Sequence, residues 1–194
     1  MDTALVLFLI LLNGLFAMSE MALTAARKAR LQVMVESGES GAQAAMDLHE
    51  NPTKFLSTVQ IGITGIGVLN GIVGDAAFSG PLSQWLTETF HLNPHATEIA
   101  ATALVVVIIT LLTIVFGELV PKRIGQMYPE SVATLVARPM EWLSTIARPF
   151  VRLLAFCTQG VLSLLGLRDA QARQVTEEEI AASLEEGVDA GVIE

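Results

Sequence analysis

The sequence has few charged side chains and a single cysteine. Asp, Glu, Lys and Arg make up 16% of its 194 residues, whereas 52% are hydrophobic, and the mean hydropathy is +0.57. Soluble domains carry about 25% charged residues, so this composition is typical of a membrane protein. Cys157 has no second cysteine to pair with, which excludes an internal disulfide.

Sequence features of several functional classes are also missing. No basic stripe with interleaved aromatic residues is present, so we expect no nucleic-acid partner. There is no Ser–His–acid set, no phosphate-binding glycine loop and no metal-hydrolase motif, so we expect no enzymatic activity and no catalytic residues. The three histidines have no ligand-like spacing with cysteine or carboxylates, which argues against zinc.

Long apolar runs dominate what is present. A membrane-spanning helix needs about 20 mostly apolar residues, and three runs meet this length. They predict an all-α membrane domain over residues 1–170, with spans at about 3–25, 54–79 and 97–120.

The segments between and after these runs are predicted to lie outside the membrane. Juxtamembrane helices are expected at about 27–50 and 130–167, and residues 79–98 are expected to form a loop or a short helical excursion. Residues 153–167 are uncharged but short for a span, so we favour an interfacial amphipathic helix over a fourth span.

Charge placement predicts the orientation of the spans. Four of the 11 Lys and Arg residues lie in 27–54, none lies in 76–98, and seven lie from Lys122 onward. Because positive residues favour the cytoplasmic side, we expect the N-terminus outside and the C-terminus inside. Acidic residues concentrate in 171–194, which predicts a cytosolic helical linker that continues beyond Glu194.

The third run ends in a group of residues that is unusual for a membrane helix. Glu118 is a carboxylate at the end of an apolar segment, where charge is costly and marks function. Pro121 has no N–H, so the Gly117 carbonyl would lose its i→i−4 donor at a helix break. A salt bridge from Glu118 to Lys122 or Arg123 is the alternative reading of this carboxylate.

Polar groups on the other two spans could reach this point. Asn13, Ser19 and Glu20 lie on the first run, and Asn70 lies in the glycine-rich second run. Together with Glu118 and the Gly117 carbonyl, Ser19 and Asn70 form an all-oxygen set that suits a hard cation such as Mg²⁺, Ca²⁺ or Na⁺. Glu20 is a candidate second acid, although interfacial polarity also explains the polar residues of the first run.

Glycines in the second run predict close helix packing. Gly67 and Gly71 have the small-xxx-small spacing that lets helices approach, and a packing helix is the simpler interpretation. Dense glycine also lets a helix bend and free carbonyls for an ion.

Three motifs together resemble one family. Asn13-Gly-Leu-Phe-Ala-Met-Ser-Glu20, the glycine-rich run ending in Asn70-Gly71, and Gly117-Glu-Leu-Val-Pro121-Lys122 are similar to the membrane domain of the CNNM/CorC (cyclin M) magnesium transporters. The resemblance implies that Ser19, Asn70, Glu118 and backbone oxygens such as that of Gly117 hold the ion. A second serine frequent in the family is Leu23 here.

The resemblance also implies the biological setting. It implies a homodimer in the plasma (inner) membrane that exports Mg²⁺ from the cytoplasm, coupled to Na⁺ entry. The acidic tail is similar to the linker that leads into a pair of CBS domains, where ATP would bind. Two alternatives remain open: a membrane anchor that senses Mg²⁺ without transporting it, and a passive cation channel.

Overall fold

The computed structural model describes residues 2–91 and 93–165, and every regular element in this part of the chain is helical. The elements in chain order are α1 (Asp2–Ala25), α2 (Lys28–Glu36), α3 (Ala42–Glu50), α4 (Pro52–Phe90), α5 (Pro94–Ile114), a π-helical turn (Val115–Leu119), α6 (Val120–Met127) and α7 (Pro129–Leu164). The expected linker at 171–194 lies outside the described residues.

Three helical stretches are long and apolar enough to cross a membrane. They are Asp2–Ala25, Phe55–Phe90 and Pro94–Met127, judged by length and composition over the described residues. This confirms the prediction of an all-α membrane protein with three spans, whereas the homodimer stays a prediction. We refer to Pro94–Met127 as the third span.

The second span is longer than the sequence pattern indicated. Helix α4 continues through Pro81 to Phe90, so most of the expected loop at 79–98 is helical. His91 ends α4 in the left-handed conformation, with a φ of 51°. The side chain of Asn93 accepts the backbone N–H of His95, which caps α5 where Pro94 occupies the start of the helix.

The third span does not break at Pro121, so the prediction of a helix break there is wrong. The helix passes from α5 through the π-helical turn into α6, and the N–H of Val120 donates to the carbonyl of Val115. This five-residue step shifts the hydrogen-bond register immediately before the proline. Pro121 therefore lies in the first turn of α6, where a missing N–H is tolerated.

The core joins the first two spans to the juxtamembrane helices. Phe16 and Leu23 of α1 and Phe55 and Val59 of α4 are buried in one hydrophobic cluster. Side chains of α2, α3 and the first half of α7 complete this cluster: Leu31, Ala45, Met46, Ala133, Val136, Ala137 and Met140. The juxtamembrane helices thus hold the cytosolic ends of α1 and α4, given the predicted orientation.

Helix α7 has a different character in its second half. Residues 152–164 of α7 are exposed, and the chain divides into two compact units after Val151. Helix α7 is not among the candidate spans of the described residues.

Glycines bring α1 and the third span together. A Cβ at Gly14 would lie 2.9 Å from the ring of Pro121, and one at Gly125 would lie 2.7 Å from the carbonyl oxygen of Met18. By contrast, Gly67 and Gly71 have no atom within 4 Å of their Cβ positions. The close approach within this chain is therefore made by other glycines than those of the small-xxx-small spacing.

Candidate cation site

The polar residues of the candidate site lie along the interface between α1 and the third span, which run in the same direction. Gly117 lies against the backbone oxygen of Ile10, and Gly125 lies against Met18 and Ala22 further along both helices. Helix α4 runs antiparallel and contacts the third span, since Gly74 lies against Ile109. Residues from different spans therefore lie side by side at the same height along the bundle, and we call each such height a level.

Asn13 takes the carbonyl that Pro121 leaves without a donor. Its Nδ2 donates to the Gly117 oxygen at 2.9 Å, and the side chain is buried, with 2% exposure. The Gly117 carbonyl is thus not the bare oxygen that the sequence suggested. The other end of the amide, Asn13 Oδ1, is buried without a hydrogen-bond partner among the described residues.

Asn70, at the next level of the bundle, also has one end of its side-chain amide bonded and the other end without a partner. Its Nδ2 donates to Thr113 Oγ1 at 2.7 Å, and its side chain is 1% exposed. Asn70 Oδ1 is also buried without a partner in the described part of the chain. Buried amide oxygens are nearly always satisfied by a donor, a water or an ion, so two unsatisfied ones in this bundle are chemically notable.

Glu118 is held by a lysine that a second acid shares. Lys122 Nζ lies 2.9 Å from Glu118 Oε1 and 3.5 Å from Glu20 Oε2, so one ammonium joins α1 to the third span. The three side chains are 28% (Lys122), 39% (Glu118) and 23% (Glu20) exposed. The salt bridge considered as an alternative is therefore present, and it leaves the three-residue cluster with one net negative charge.

Ser19 is fully buried and bonds within its own helix. Its hydroxyl donates to the Leu15 carbonyl at 2.6 Å, which leaves the oxygen lone pairs available as acceptors. This backward bond is the ordinary way in which serine is satisfied inside a membrane helix.

The predicted ligands occupy successive levels and do not surround one point. Thr113 precedes Gly117 by four residues, which is about 6 Å of helix rise, and Ser19 follows Asn13 by six residues, or about 9 Å. Ser19 is thus about 15 Å from the level of Asn70 along the bundle. Because Mg²⁺ binds its ligands at about 2.1 Å, one ion does not contact both in this arrangement.

Three levels therefore describe the site: Asn70 with Thr113, Asn13 with Gly117, and the cluster of Glu20, Lys122 and Glu118. Thr113 was not predicted, although a threonine one turn before Gly117 in an apolar run was an available signal. Among residues 2–91 and 93–165, no three His, Cys, Asp or Glu side chains group closely enough to hold a metal ion. Most of the oxygen atoms that could contact a cation at this candidate site thus belong to amide and hydroxyl groups.

A polar groove lies beside the C-terminal half of α4. It has a volume of about 620 Å³ between α4 and α5, and its acidic lining residues are Asp75, Glu88 and Glu98. Ser79 donates a hydrogen bond to Asp75, the one charge in the apolar part of α4. No Lys or Arg lines this groove.

A family model described as the cyclin M transmembrane N-terminal domain matches residues 4–194. The chain belongs to the CNNM family. This confirms the resemblance that the three sequence motifs carried, and it places the chain in a family of membrane proteins related to transport.

Curated relatives of this CNNM chain come from several bacteria. UPF0053 protein sll0260 of Synechocystis is 42% identical over 186 residues, which is 96% of this chain and 41% of that protein. Proteins named polyamine export protein are 34% identical in Salmonella typhimurium and 32% identical in Escherichia coli K12, over 95% and 97% of this chain. The chain spans about two-fifths of the length of these relatives, 41% or 42%.

Proposed function

We propose that this chain is the membrane domain of an exporter of small cations, with Mg²⁺ as the substrate. The observation that carries the proposal is the pair of buried amide oxygens, Asn13 Oδ1 and Asn70 Oδ1, which have no partner among the described residues. They belong to the same set of helices as the partly exposed carboxylates of Glu20 and Glu118. Buried oxygens without donors fit a cation that passes along the bundle.

The donor chemistry supports a hard cation. Carboxylates, amide oxygens and a hydroxyl are the ligands that Mg²⁺ and Ca²⁺ prefer, and sulfur and imidazole ligands are missing from the site. The residues alone do not select Mg²⁺ over Ca²⁺. Membership of the CNNM family supports Mg²⁺, because the motifs of the site resemble those of the magnesium transporters.

In the proposed mechanism, the cation enters from the cytoplasm and exchanges water for protein oxygens in steps. Glu20 and Glu118 attract the hydrated ion and compensate its charge. Asn70 and Asn13 offer neutral oxygens in the low-dielectric part of the bundle, and Ser19 adds a hydroxyl near the carboxylates. Opening of the helical bundle toward the outside would release the ion past the acidic groove at Asp75. Na⁺ that enters along the same oxygens would then drive the return of the bundle to the state open to the cytoplasm.

Mg²⁺ flux through the complete protein in liposomes tests this proposal. We expect Glu118→Ala and Asn70→Ala to abolish most of the flux. Glu50→Ala is the matched control, because Glu50 also pairs with a lysine but lies on a juxtamembrane helix. Wild-type flux in both site variants would refute the proposal.

The same liposomes separate the alternatives. Export that an inward Na⁺ gradient accelerates supports coupled exchange, whereas flux indifferent to that gradient indicates a passive channel. Mg²⁺ binding by the wild-type protein without any flux indicates an anchor that senses the ion.

A polyamine is the second candidate substrate, and one contact favours it. The ammonium of Lys122 lies between two carboxylates, which is the environment that a primary alkylammonium group of a polyamine requires. Two of the relatives described above bear the name polyamine export protein. Flux of radiolabelled putrescine that exceeds Mg²⁺ flux under equal gradients would favour this candidate over Mg²⁺.

A further inference from the structure

The cluster of Glu20, Lys122 and Glu118 places a cation of the protein itself where a substrate cation is expected to bind. Lys122 Nζ contacts an oxygen of each acid, at 2.9 Å and 3.5 Å. The two carboxylate oxygens are therefore no more than about 7 Å apart, and their like charges repel unless a cation lies between them. Lys122 supplies that cation when no substrate is present.

We propose that Lys122 is a tethered competitor, which an incoming cation must displace from the pair Glu20 and Glu118. The inference rests on the proposed function, in which these carboxylates receive the substrate. Displacing the ammonium of Lys122 weakens the binding of the substrate cation, and the return of this ammonium to the acids assists the release of that cation. Lys122 would thus set the affinity of the site without being a ligand of the cation.

Two features of the cluster permit this exchange. All three side chains are between 23% and 39% exposed, so none of them is sealed inside the bundle and their exchange with a cation requires no unpacking of the helices. Lysine carries a compact, strongly hydrated charge on a flexible stem of four carbons, and it therefore leaves a carboxylate pair more readily than the planar fork of arginine.

A purely structural role makes the opposite prediction for the same contacts. If Lys122 serves to fasten α6 to α1, its removal leaves two unpaired acids, loosens the interface and weakens any cation binding there. If Lys122 competes, its removal leaves the acids free for the cation, and binding becomes tighter.

Calorimetric titration of the complete protein in lipid nanodiscs with Mg²⁺ distinguishes these roles. We expect Lys122→Gln to bind Mg²⁺ roughly tenfold more tightly than the wild type, as suits the loss of one competing charge at a partly exposed site. We expect Lys122→Arg to bind it more weakly, because the guanidinium holds both carboxylates at once. Lys28→Gln is the control and should leave the affinity unchanged, since Lys28 pairs with Glu50 on the juxtamembrane helices.

Chemical rescue supplies a readout that a structural role would not move. Ethylammonium at millimolar concentration should lower the Mg²⁺ affinity of Lys122→Ala back toward the wild-type value and should leave the wild type unaffected. Unchanged or weaker Mg²⁺ binding in Lys122→Gln would overturn the inference. If that variant does not fold, equal Mg²⁺ affinities of Lys122→Arg and the wild type would overturn it instead.

Failure of this inference is distinguishable from failure of the proposed function. If Glu118→Ala abolishes Mg²⁺ flux while Lys122→Gln keeps the wild-type affinity, the competitor is refuted and the exporter stands. If Glu118→Ala and Asn70→Ala change neither flux nor affinity, the proposed function fails and the competitor fails with it.

Discussion

The close packing of α1 against α6 makes a sharp prediction for Gly125. A Cβ at this position would lie 2.7 Å from the Met18 carbonyl oxygen and 3.2 Å from the Ala22 nitrogen. Both neighbours are backbone atoms, so Gly125→Ala forces the two helices apart instead of turning a side chain. Overpacking of this kind typically costs about 1–3 kcal/mol.

Two other glycines provide matched controls, because alanine gains about 1 kcal/mol of helix propensity at any interior helix position. Gly67 in α4 and Gly160 in α7 have no atom within 4 Å of their Cβ positions. The difference between Gly125→Ala and each control therefore isolates the packing cost, and it should be about 1–3 kcal/mol.

Unfolding by SDS in mixed micelles measures the free energy of unfolding of the wild type and of the three variants. The controls are expected to equal or exceed the wild type in stability, and Gly125→Ala is expected to fall below both controls. A Gly125→Ala variant as stable as the controls would refute the close approach of α1 and α6. The contact between Lys122 and Glu20 depends on the same approach, and it would have to be abandoned too.

Three further predictions concern other polar contacts. Thr113→Val removes the hydroxyl that accepts the hydrogen bond of Asn70 Nδ2. A double-mutant cycle with Asn70→Leu should give a coupling free energy of about 0.6–1.7 kcal/mol. A coupling near zero would contradict the contact. Glu130→Ala should destabilise by about 1–3 kcal/mol and Glu130→Gln by less, in chemical unfolding, because this buried carboxylate accepts a backbone N–H. The hydrogen bond from Lys28 lowers the pKa of Glu50, so the pair stabilises the fold at neutral pH and loses this effect as the pH falls through that lowered pKa. The thermal unfolding temperatures of Lys28→Gln and the wild type should therefore differ at pH 7 and converge in acid.

The spans were predictable because the bilayer imposes a length and a composition on them. Apolar runs identified all three, and the structure changed mainly their ends. Helix α4 continues to Phe90, and Thr87 in this polar extension shares a hydrogen bond with Thr97 of α5. Apolar periodicity carries no information about such a polar extension, which depends on the contacts of α4 with α5.

The polar residues of the candidate site could be named from the sequence, whereas the contacts between them could not, and the role of these residues stays a prediction. Asn13 and Lys122 were recognised as polar residues near the candidate site, yet the hydrogen bond from Asn13 to the Gly117 carbonyl joins residues 104 positions apart. Local rules identify the carbonyl that Pro121 frees, but the identity of its partner depends on how α1 meets the third span. The π-helical turn was missed for a related reason, since a change of helical register leaves no periodic signal in five residues.

The sequence left a salt bridge and a cation site as alternatives at Glu118; the structure shows the salt bridge to Lys122, and the proposed displacement of Lys122 would allow both. A partly exposed lysine–carboxylate pair contributes about 0–1 kcal/mol, because solvent screens the charges and both side chains lose freedom. A multivalent cation that meets two carboxylates gains more than this from charge alone. Lys122 therefore offsets the repulsion between the two acids, and, under the proposal of a tethered competitor, its pair with Glu118 is weak enough for a substrate cation to replace it.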